Sequence, residues 1–250
     1  SDFYPQIKVY PLKGKAFTEN AELSGRLASL KGIRMLSKTL EEKVLFSFDE
    51  NQVIATLKGV DTAYNHVTGI RQRVRYGQMD FTKPSDLPPV VLGIGLSNRL
   101  GASDESVLPL NGYSFRKGGG NSLMDMAQAY NSNYFTVSGV FVLQEEIDNQ
   151  YALAPLEAVQ SLSQHEGLLS AYELSLEPGV RPDDVIASVR QLVEPAGLQA
   201  ATRYEQNRTL YFILSSERWA VFAILTLMLI IASFNIIGSL SMLVIEKQKD

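Results

Sequence analysis

The glycine pattern Gly93-Ile94-Gly95-Leu96-Ser97-Asn98 is the part of this chain that comes closest to a cofactor-binding motif. In a dinucleotide fingerprint, three glycines permit a tight turn, a close approach of the backbone to the pyrophosphate and close helix packing. Here Asn98 occupies the third glycine position, and Gly101 falls too late to replace it. The pattern therefore predicts a strand that leads into a helix, without a bound dinucleotide.

Candidate phosphate and metal sites are also incomplete in this sequence. The run Gly118-Gly119-Gly120 has no Lys-Ser or Lys-Thr after it, so it lacks the lysine that reaches a nucleotide's phosphates. The histidines, His66 and His165, are far apart and match no metal-ligand spacing, and there is no cysteine. We therefore predict no ATP site, no metal site and no thiolate chemistry in this chain.

Three carboxylate pairs have a composition suited to acid–base chemistry: Glu41-Glu42, Glu145-Glu146 and Asp183-Asp184. Each is predicted to adjoin a helix start, a turn or a strand end, where solvation and helix dipoles already explain acidic residues. With no catalytic or cofactor-binding residue assigned, the sequence predicts a protein that is not an enzyme. A net charge of −4 also argues against nucleic-acid binding, which needs clustered Lys and Arg.

The longest polar segment, Asn111 to Asn133, combines aromatic and basic side chains, and such side chains are favoured anchors at protein interfaces. It is predicted to be a loop or a long hairpin. Two interpretations stay open, a plain loop and a docking site for another protein. The docking residues would be Tyr113, Phe115, Arg116, Lys117, Tyr130 and Tyr134.

The sequence from Trp219 to Ile245 contains no charged side chain. Its 27 positions (245 − 219 + 1) would form a helix of roughly 40 Å, longer than a bilayer's hydrocarbon core of roughly 30 Å. Asn235 and Ser239 are one turn apart with Gly238 beside them, a combination that permits close contacts and hydrogen bonds between membrane helices. We predict a transmembrane helix that packs through these three residues.

The elements that surround these residues follow from the spacing of apolar side chains. Alternation predicts strands around Ile7 and Ile33, with a helix between them that Thr18 or Asn20 caps. Alternation on either side of residues 49–52 predicts a hairpin.

A similar strand, helix and strand order recurs near the end of the folded part. Tyr172–Leu176 is predicted to be a strand, a helix begins at Pro182 and ends before Gly197, and Leu198–Tyr204 is predicted to be a further strand. Together the two ends would form one split α+β sheet. The Pro- and Gly-interrupted region between them, residues 60–166, is predicted to be a strand-rich inserted subdomain.

The segment Ile231 to Asp250, IASFNIIGSLSMLVIEKQKD, resembles the second membrane helix of lipoprotein-releasing ABC transporter permeases. Phe3–Val9, Leu57–Asp61 and Ser138–Phe141 also resemble members of the wider group, the MacB-like and FtsX-like permeases. The resemblance covers the chain almost from end to end. It corresponds to the extracytoplasmic domain between the first and second of four membrane helices.

The resemblance implies a ferredoxin-like (Porter-like) α+β subdomain made from both ends of the folded part, with a strand-rich (Sabre-like) subdomain inserted. We expect five parts: a Porter-like subdomain, residues 1–59 and 167–205; a Sabre-like subdomain, residues 60–166; a stalk helix, residues 206–218; a transmembrane helix, residues 219–245; and a cytoplasmic tail, residues 246–250. Lysines in that tail agree with the positive-inside rule. Residues 1–218 are then expected in the periplasm of a bacterium.

Such permeases dimerise, with a copy of themselves or with a related permease, and recruit a separate cytoplasmic ATPase. The resemblance therefore implies mechanotransmission, in which ATP-driven closure of the dimer moves the membrane helices and the periplasmic domains. In the lipoprotein-releasing members a hairpin captures a soluble lipoprotein carrier, and Asn111 to Asn133 lies at the corresponding place. Expected partners are thus the ATPase, the second permease, the carrier and membrane lipid.

Three alternative functions stay open at the level of sequence. An FtsX-like permease would regulate a periplasmic cell-wall hydrolase and move no substrate. A MacB-like permease would perform efflux. A single-pass sensor or adhesion module would use the apolar segment only as an anchor.

Overall fold

The computed structural model describes residues 3–82, 86–115, 130–206, 219 and 221–237. The chain divides into two compact units, Ser1–Arg203 and Tyr204–Asp250. The first unit combines strands and helices, so the mixed α and β architecture predicted from the sequence is confirmed.

Both ends of the first unit contain the predicted order of strand, helix and strand, around α-helices Ala21–Ala28 and Pro182–Val193. The strands are Ile7–Pro11 (β1), Phe17–Thr18 (β2), Ile33–Phe48 (β3), Asn51–Val60 (β4), Val74–Gly77 (β5), Pro89–Gly93 (β6), Leu110–Phe115 (β7), Tyr130–Phe141 (β8), Tyr151–Pro155 (β9), Leu168–Leu169 (β10), Ala171–Leu176 (β11) and Leu198–Thr202 (β12). The helices are Ala21–Ala28 (α1), Tyr64–Val67 (α2), Ile94–Leu100 (α3), Glu145–Asp148 (α4), Leu156–Ser163 (α5), Pro182–Val193 (α6), Arg203–Gln206 (α7) and 221–237 (α8). Two 3₁₀ turns, Ile70–Arg73 and Glu194–Ala196, complete the described elements.

Strand β3, with 16 residues, connects two parts of the main sheet. Its first part pairs antiparallel with β11, and its later part, from Val44 to Ser47, pairs antiparallel with β7. Its other edge pairs with β4 from Thr39 to Phe48. Beyond β11 lie β1 and then β12, both in antiparallel pairing. One continuous strand therefore contributes to both parts of the sheet.

Six strands pair in a closed cycle, from β3 through β4, β9, β6, β8 and β7 back to β3. The apolar residues on their shared face form one core, in which Phe46, Leu92 and Phe135 are completely buried. Leu96 of α3 and Val159 of α5 pack into the same core. Burial of these side chains from every strand stabilises the cycle through the hydrophobic effect.

A second core lies between the helices α1 and α6 and the strands β1, β11 and β12, with Leu27 and Leu174 fully buried. Of the two predicted caps of α1, Asn20 is the one used, and its Oδ1 accepts a hydrogen bond of 3.0 Å from the N–H of Leu23. Helix α6 begins at Pro182 as predicted, since the first turn of a helix needs no donor from that residue.

The predicted hairpin at residues 49–52 is confirmed, because β3 and β4 pair up to Phe48 and Asn51. Two local predictions are wrong. Tyr204 is not part of the last strand, because β12 stops at Thr202 and residue 204 lies in α7. The pair Glu41-Glu42 is not at a strand end but inside β3. Alternation along one segment cannot show where its pairing partner stops, and the partner sets the length of a strand.

The glycines of the Gly93–Asn98 pattern are explained by packing. Strand β6 ends at Gly93 and α3 follows directly, so the predicted strand-to-helix step is confirmed. A Cβ added at Gly93 would lie 2.4 Å from the carbonyl oxygen of Asp148, and one added at Gly95 would lie 2.1 Å from Oδ1 of Asn149. Because these two glycines have no side chain, the end of α4 can pack closely against the junction between β6 and α3.

In the second unit, the described residues of α8 are all exposed, and most of them are apolar. Among the described residues, none of the helices has both the length and the apolarity that a membrane crossing requires. The predicted span 219–245 and the predicted stalk 206–218 both extend beyond the described residues, and both stay predictions.

Replacing Gly93 with alanine should destabilise the first unit by about 1–3 kcal/mol, because the new methyl group overlaps the Asp148 carbonyl. Urea unfolding followed by circular dichroism measures the change. Gly25→Ala in α1 is the matched control: a Cβ there meets nothing within 4 Å, so the variant should be neutral or stabilised by up to about 1 kcal/mol. Equal stability of the two variants would contradict the packing explanation.

Candidate functional site

The hairpin formed by β7 and β8 places four of the predicted docking residues on one face. Its antiparallel register sets Phe115 opposite Tyr130. Because side chains alternate along a strand, Tyr113 and Tyr134 share the face of these two residues, opposite to the buried Phe135. Four aromatic side chains that are separated in the sequence therefore belong to one surface.

This aromatic face is open to solvent. Phe115, Tyr130 and Tyr134 are 53%, 46% and 51% exposed, and the ring centroids of Phe115 and Tyr130 are 5.1 Å apart. Exposed aromatic rings lose little rotamer freedom on binding and contribute large contact areas, as protein interfaces require. The other two predicted docking residues, Arg116 and Lys117, lie outside the described residues.

The face continues onto β3 and β4 through two residues that sequence reasoning missed. Leu45 lies opposite Tyr113 on one side and opposite Ile54 on the other. Ile54 is 62% exposed, although its neighbour Ala55 is buried in the core. The alternation along β4 already contained this signal, but the position of Ile54 beside the hairpin depends on the tertiary pairing.

The residues predicted to pack the membrane helix are only partly described. Asn235 lies in α8 and is exposed. Gly238 and Ser239 lie outside the described residues. Contact between membrane helices through these positions stays a prediction.

A buried charge cluster, which sequence reasoning also missed, lies across the sheet. The Nζ atom of Lys58 is 2.6 Å from Oε1 of Glu173 and 3.7 Å from Oε1 of Glu41. The side chains of Lys58 and Glu173 are 2% and 0% exposed. Glu41 Oε1 is also 3.1 Å from Nζ of Lys8. Four charged side chains from β1, β3, β4 and β11 thus form one network.

Two aromatic rings pack over the ammonium group of Lys58, the buried cation of this cluster. Nζ of Lys58 lies 4.8 Å from the centre of the Phe3 ring and 5.0 Å from that of Tyr64, within the range of cation–π attraction. Burial raises the pKa of the Tyr64 hydroxyl. Burial, with a further contribution from Glu41, raises the pKa of Tyr151 to about 12. Both tyrosines therefore stay neutral at neutral pH and add no charge to the cluster.

The charged members of the cluster stabilise one another's ionised forms. Burial alone would lower the pKa of Lys58, but the surrounding groups, Glu173 first and also Glu41, together outweigh burial, and the pKa lies well above the usual value. Burial alone would raise the pKa of Glu41, but Lys8 and Lys58 outweigh it and the pKa is lowered. The desolvation penalty of each charge is thus offset by an opposite charge at hydrogen-bond distance.

The arrangement of the cluster indicates a structural role. Lys58 donates to Oε1 of Glu173, which joins β4 to β11 across β3, whereas Oε2 of Glu173 is buried and accepts no hydrogen bond within the described part of the chain. The sequence contained one signal, a lysine within the apolar end of β4, where six consecutive residues up to Val60 are buried. The partner of that lysine could not be identified from the sequence, because Glu173 is far away along the chain.

Proteins of a lipoprotein-releasing system are similar in sequence to this chain. No family model matches the chain. The chain is 27% identical over 215 residues to the lipoprotein-releasing system transmembrane protein LolC of Xylella fastidiosa, an alignment that covers 84% of this chain and 49% of the relative. It is 27% identical over 191 residues to LolC of Neisseria meningitidis serogroup B, with 72% and 43% covered. The chain spans less than half the length of these relatives. The predicted resemblance to lipoprotein-releasing permeases is confirmed.

Solved structures share the fold of this chain. The periplasmic region of MacB from Actinobacillus actinomycetemcomitans superposes with a TM-score of 0.55 at 10% identity and covers 82% of this chain and 92% of that one. The extracellular domain of the ABC-type transporter YknZ from Gram-positive bacteria superposes with a TM-score of 0.51 at 15% identity, with 78% and 99% covered. At these identities the likeness concerns the fold alone.

The variant Lys58→Met should lose about 3–5 kcal/mol of stability, because Glu173 would remain buried without an opposite charge. Adding Glu173→Leu removes both charges and should restore most of the loss. Urea unfolding of the single and double variants measures this coupling. Lys8→Met is the control, and it should cost only about 1 kcal/mol because that lysine is 25% exposed. A double variant no more stable than Lys58→Met would contradict the proposed pairing.

Proposed function

We propose that this chain is the extracytoplasmic region and the following membrane helix of an ABC transporter permease subunit in a bacterial inner membrane. Residues 1–218 would lie in the periplasm, residues 219–245 would cross the membrane, and residues 246–250 would lie in the cytoplasm. The subunit would contribute no catalytic residue, and ATP hydrolysis would belong to a separate cytoplasmic ATPase. The similarity to LolC supports this proposal.

The observation that carries the proposal is the pairing of the first and last strands of the first unit. Strand β1 pairs with β12, with Ile7 opposite Thr202, and the N–H of Arg203 donates a hydrogen bond of 3.1 Å to the carbonyl of Gln6. The chain therefore enters and leaves this unit at one place. A displacement applied to either end would act on the same sheet edge, which suits a domain that transmits movement.

The two-part organisation of the sheet would divide this movement between subdomains. We assign residues 1–59 and 167–205 to a Porter-like, ferredoxin-like subdomain and residues 60–166 to a Sabre-like insertion. The separate apolar cores around α1 and α6 and inside the strand cycle support the assignment. Strand β3 contributes to both cores and would couple the subdomains mechanically.

Lipoprotein release is the transport activity that the relatives favour, because the LolC proteins are named for that system. In this proposal the permease works as a dimer, either of two copies or of two related subunits. The aromatic face of the β7–β8 hairpin would dock a soluble periplasmic carrier that receives the lipoprotein. The same transmission of movement would also suit efflux or regulation of a cell-wall hydrolase. The identity of the captured partner therefore decides between these functions.

Docking can be tested with a photocrosslinking amino acid at Tyr130 of the intact permease in cells. We expect capture of a lipoprotein carrier, because the ring at this position is exposed and lies beside Phe115. Glu157, on the exposed side of α5, is the control position and should capture no carrier. Exclusive capture of a cell-wall hydrolase would favour regulation, and absence of any partner specific to Tyr130 would contradict docking at this face.

The transport function can be tested by lipoprotein release from vesicles that contain the intact permease and its ATPase. Release should require ATP, and Phe115→Ser with Tyr130→Ser should lower transfer to the carrier by about tenfold or more, since interface aromatics often contribute over 1 kcal/mol each. Stability should change little, because both side chains are about half exposed. Phe135→Ser, in the buried core, should unfold the domain instead. Release that is independent of ATP would contradict the proposed function.

A further inference from the structure

A groove between α1 and α6 lies on the helical side of the second core. It has a volume of about 670 Å³, and its walls include Leu23 and Leu30 from the first helix region and Leu192 from α6. An adjoining depression of about 480 Å³ lies along the outer side of α1. These leucines share the lining with polar residues such as Ser188 and Gln191, and no described element of the first unit fills the groove, so it is a candidate contact surface.

The rim of the groove carries two opposite charges on one helix. Glu22 and Arg26 are four residues apart in α1, both are exposed, and both line the groove. Neither forms an ion pair among the described residues. A negative and a positive side chain, arranged in sequence along one exposed helix face, are complementary to a second copy of the same face turned through 180°.

Gly25 leaves room for such a contact. It lies between the two charged residues in α1, and a Cβ at this position would meet nothing within 4 Å. A glycine inside an exposed helix costs about 1 kcal/mol relative to alanine, and no neighbour in the described unit explains it. Without a side chain there, a partner helix could approach α1 closely.

We infer that the α1–α6 groove is the contact surface between two copies of this chain, related by a two-fold axis that passes near Gly25. Around this axis the two α1 helices run antiparallel. Glu22 of each copy then lies within side-chain reach of Arg26 in the other, and Leu192 of each copy contributes to the apolar centre. The inference rests on the proposed function, because it assigns a location on the periplasmic unit to the contact of the permease dimer.

The self-complementary charges favour a second copy over an unrelated helical partner. An isologous interface repeats each contact twice, so one Glu22–Arg26 pair becomes two. An amphipathic peptide from another protein would require its own matching pair of charges at the same spacing. The charges of Glu22 and Arg26 would set register and orientation, and the leucines of the groove would contribute apolar burial.

The first test is crosslinking of the full-length permease, together with its ATPase, in native membranes. This chain has no cysteine, so Gly25→Cys introduces one thiol into it near the expected axis. A short bismaleimide should link two copies through this position, while Glu157→Cys on α5 should give no linked dimer. Linkage of Gly25→Cys to a different polypeptide, or no linkage at all, would overturn the inference.

Charge reversal provides the second test and controls for misfolding. In the Gly25→Cys background, Glu22→Arg should lower the linked fraction by about tenfold, because it replaces attraction by repulsion at two symmetry-related positions. Adding Arg26→Glu should restore linkage, since the reversed pair is again complementary. Unfolding curves establish that all variants fold, and no recovery in the double reversal would overturn the charge pairing.

A permease that releases lipoprotein normally without linkage contradicts this inference alone, whereas ATP-independent release with intact linkage contradicts the proposed function alone.

Discussion

The two-sided pairing of strand β3 is the constraint on which the first unit depends. A strand has only two edges, and β3 uses one for β4 and the other for β11 and β7 in succession. A shift of one residue along β3 would turn Val44 and Phe46 from the core to the outer face. Because the same 16 residues contribute to both apolar cores, neither part of the sheet can change its register alone.

The buried charge cluster strengthens this constraint. Lys58 belongs to β4 and Glu173 to β11, so their contact crosses over β3, from which Glu41 adds a third charge. A shift of any one of these strands would separate charges that are shielded from water, at a cost of several kcal/mol. Apolar burial supplies most of the stability of such a sheet, whereas the charges restrict which neighbours and which register are compatible with it.

The proposed transmission of movement depends on this charge cluster and on the pairing of the first and last strands of the first unit. Strand β1 pairs with the last strand and contributes Lys8 to the charge cluster, and Phe3, whose ring covers Lys58, lies four residues before its start at Ile7. Movement at the first strand would therefore act on the charge cluster and on the last strand together. The aromatic hairpin face belongs to the strand cycle and the groove to the helices beside the second core, so carrier docking and dimer contact would use separate surfaces of the first unit.

The sequence by itself determined the elements whose signals are local. The alternation of apolar and polar residues predicts the hairpin at residues 49–52, and capping preference predicts the start of α1 near Asn20. The incomplete Gly93–Asn98 pattern predicts the junction between a strand and a helix that the structure contains. The tertiary structure alone decided that β3 is shared, that the strands close a cycle and that Lys58 meets Glu173. These features depend on contacts between segments that are distant in the sequence, 115 positions apart in the case of Lys58 and Glu173. Periodicity within one segment contains no information about the partner that pairs with it.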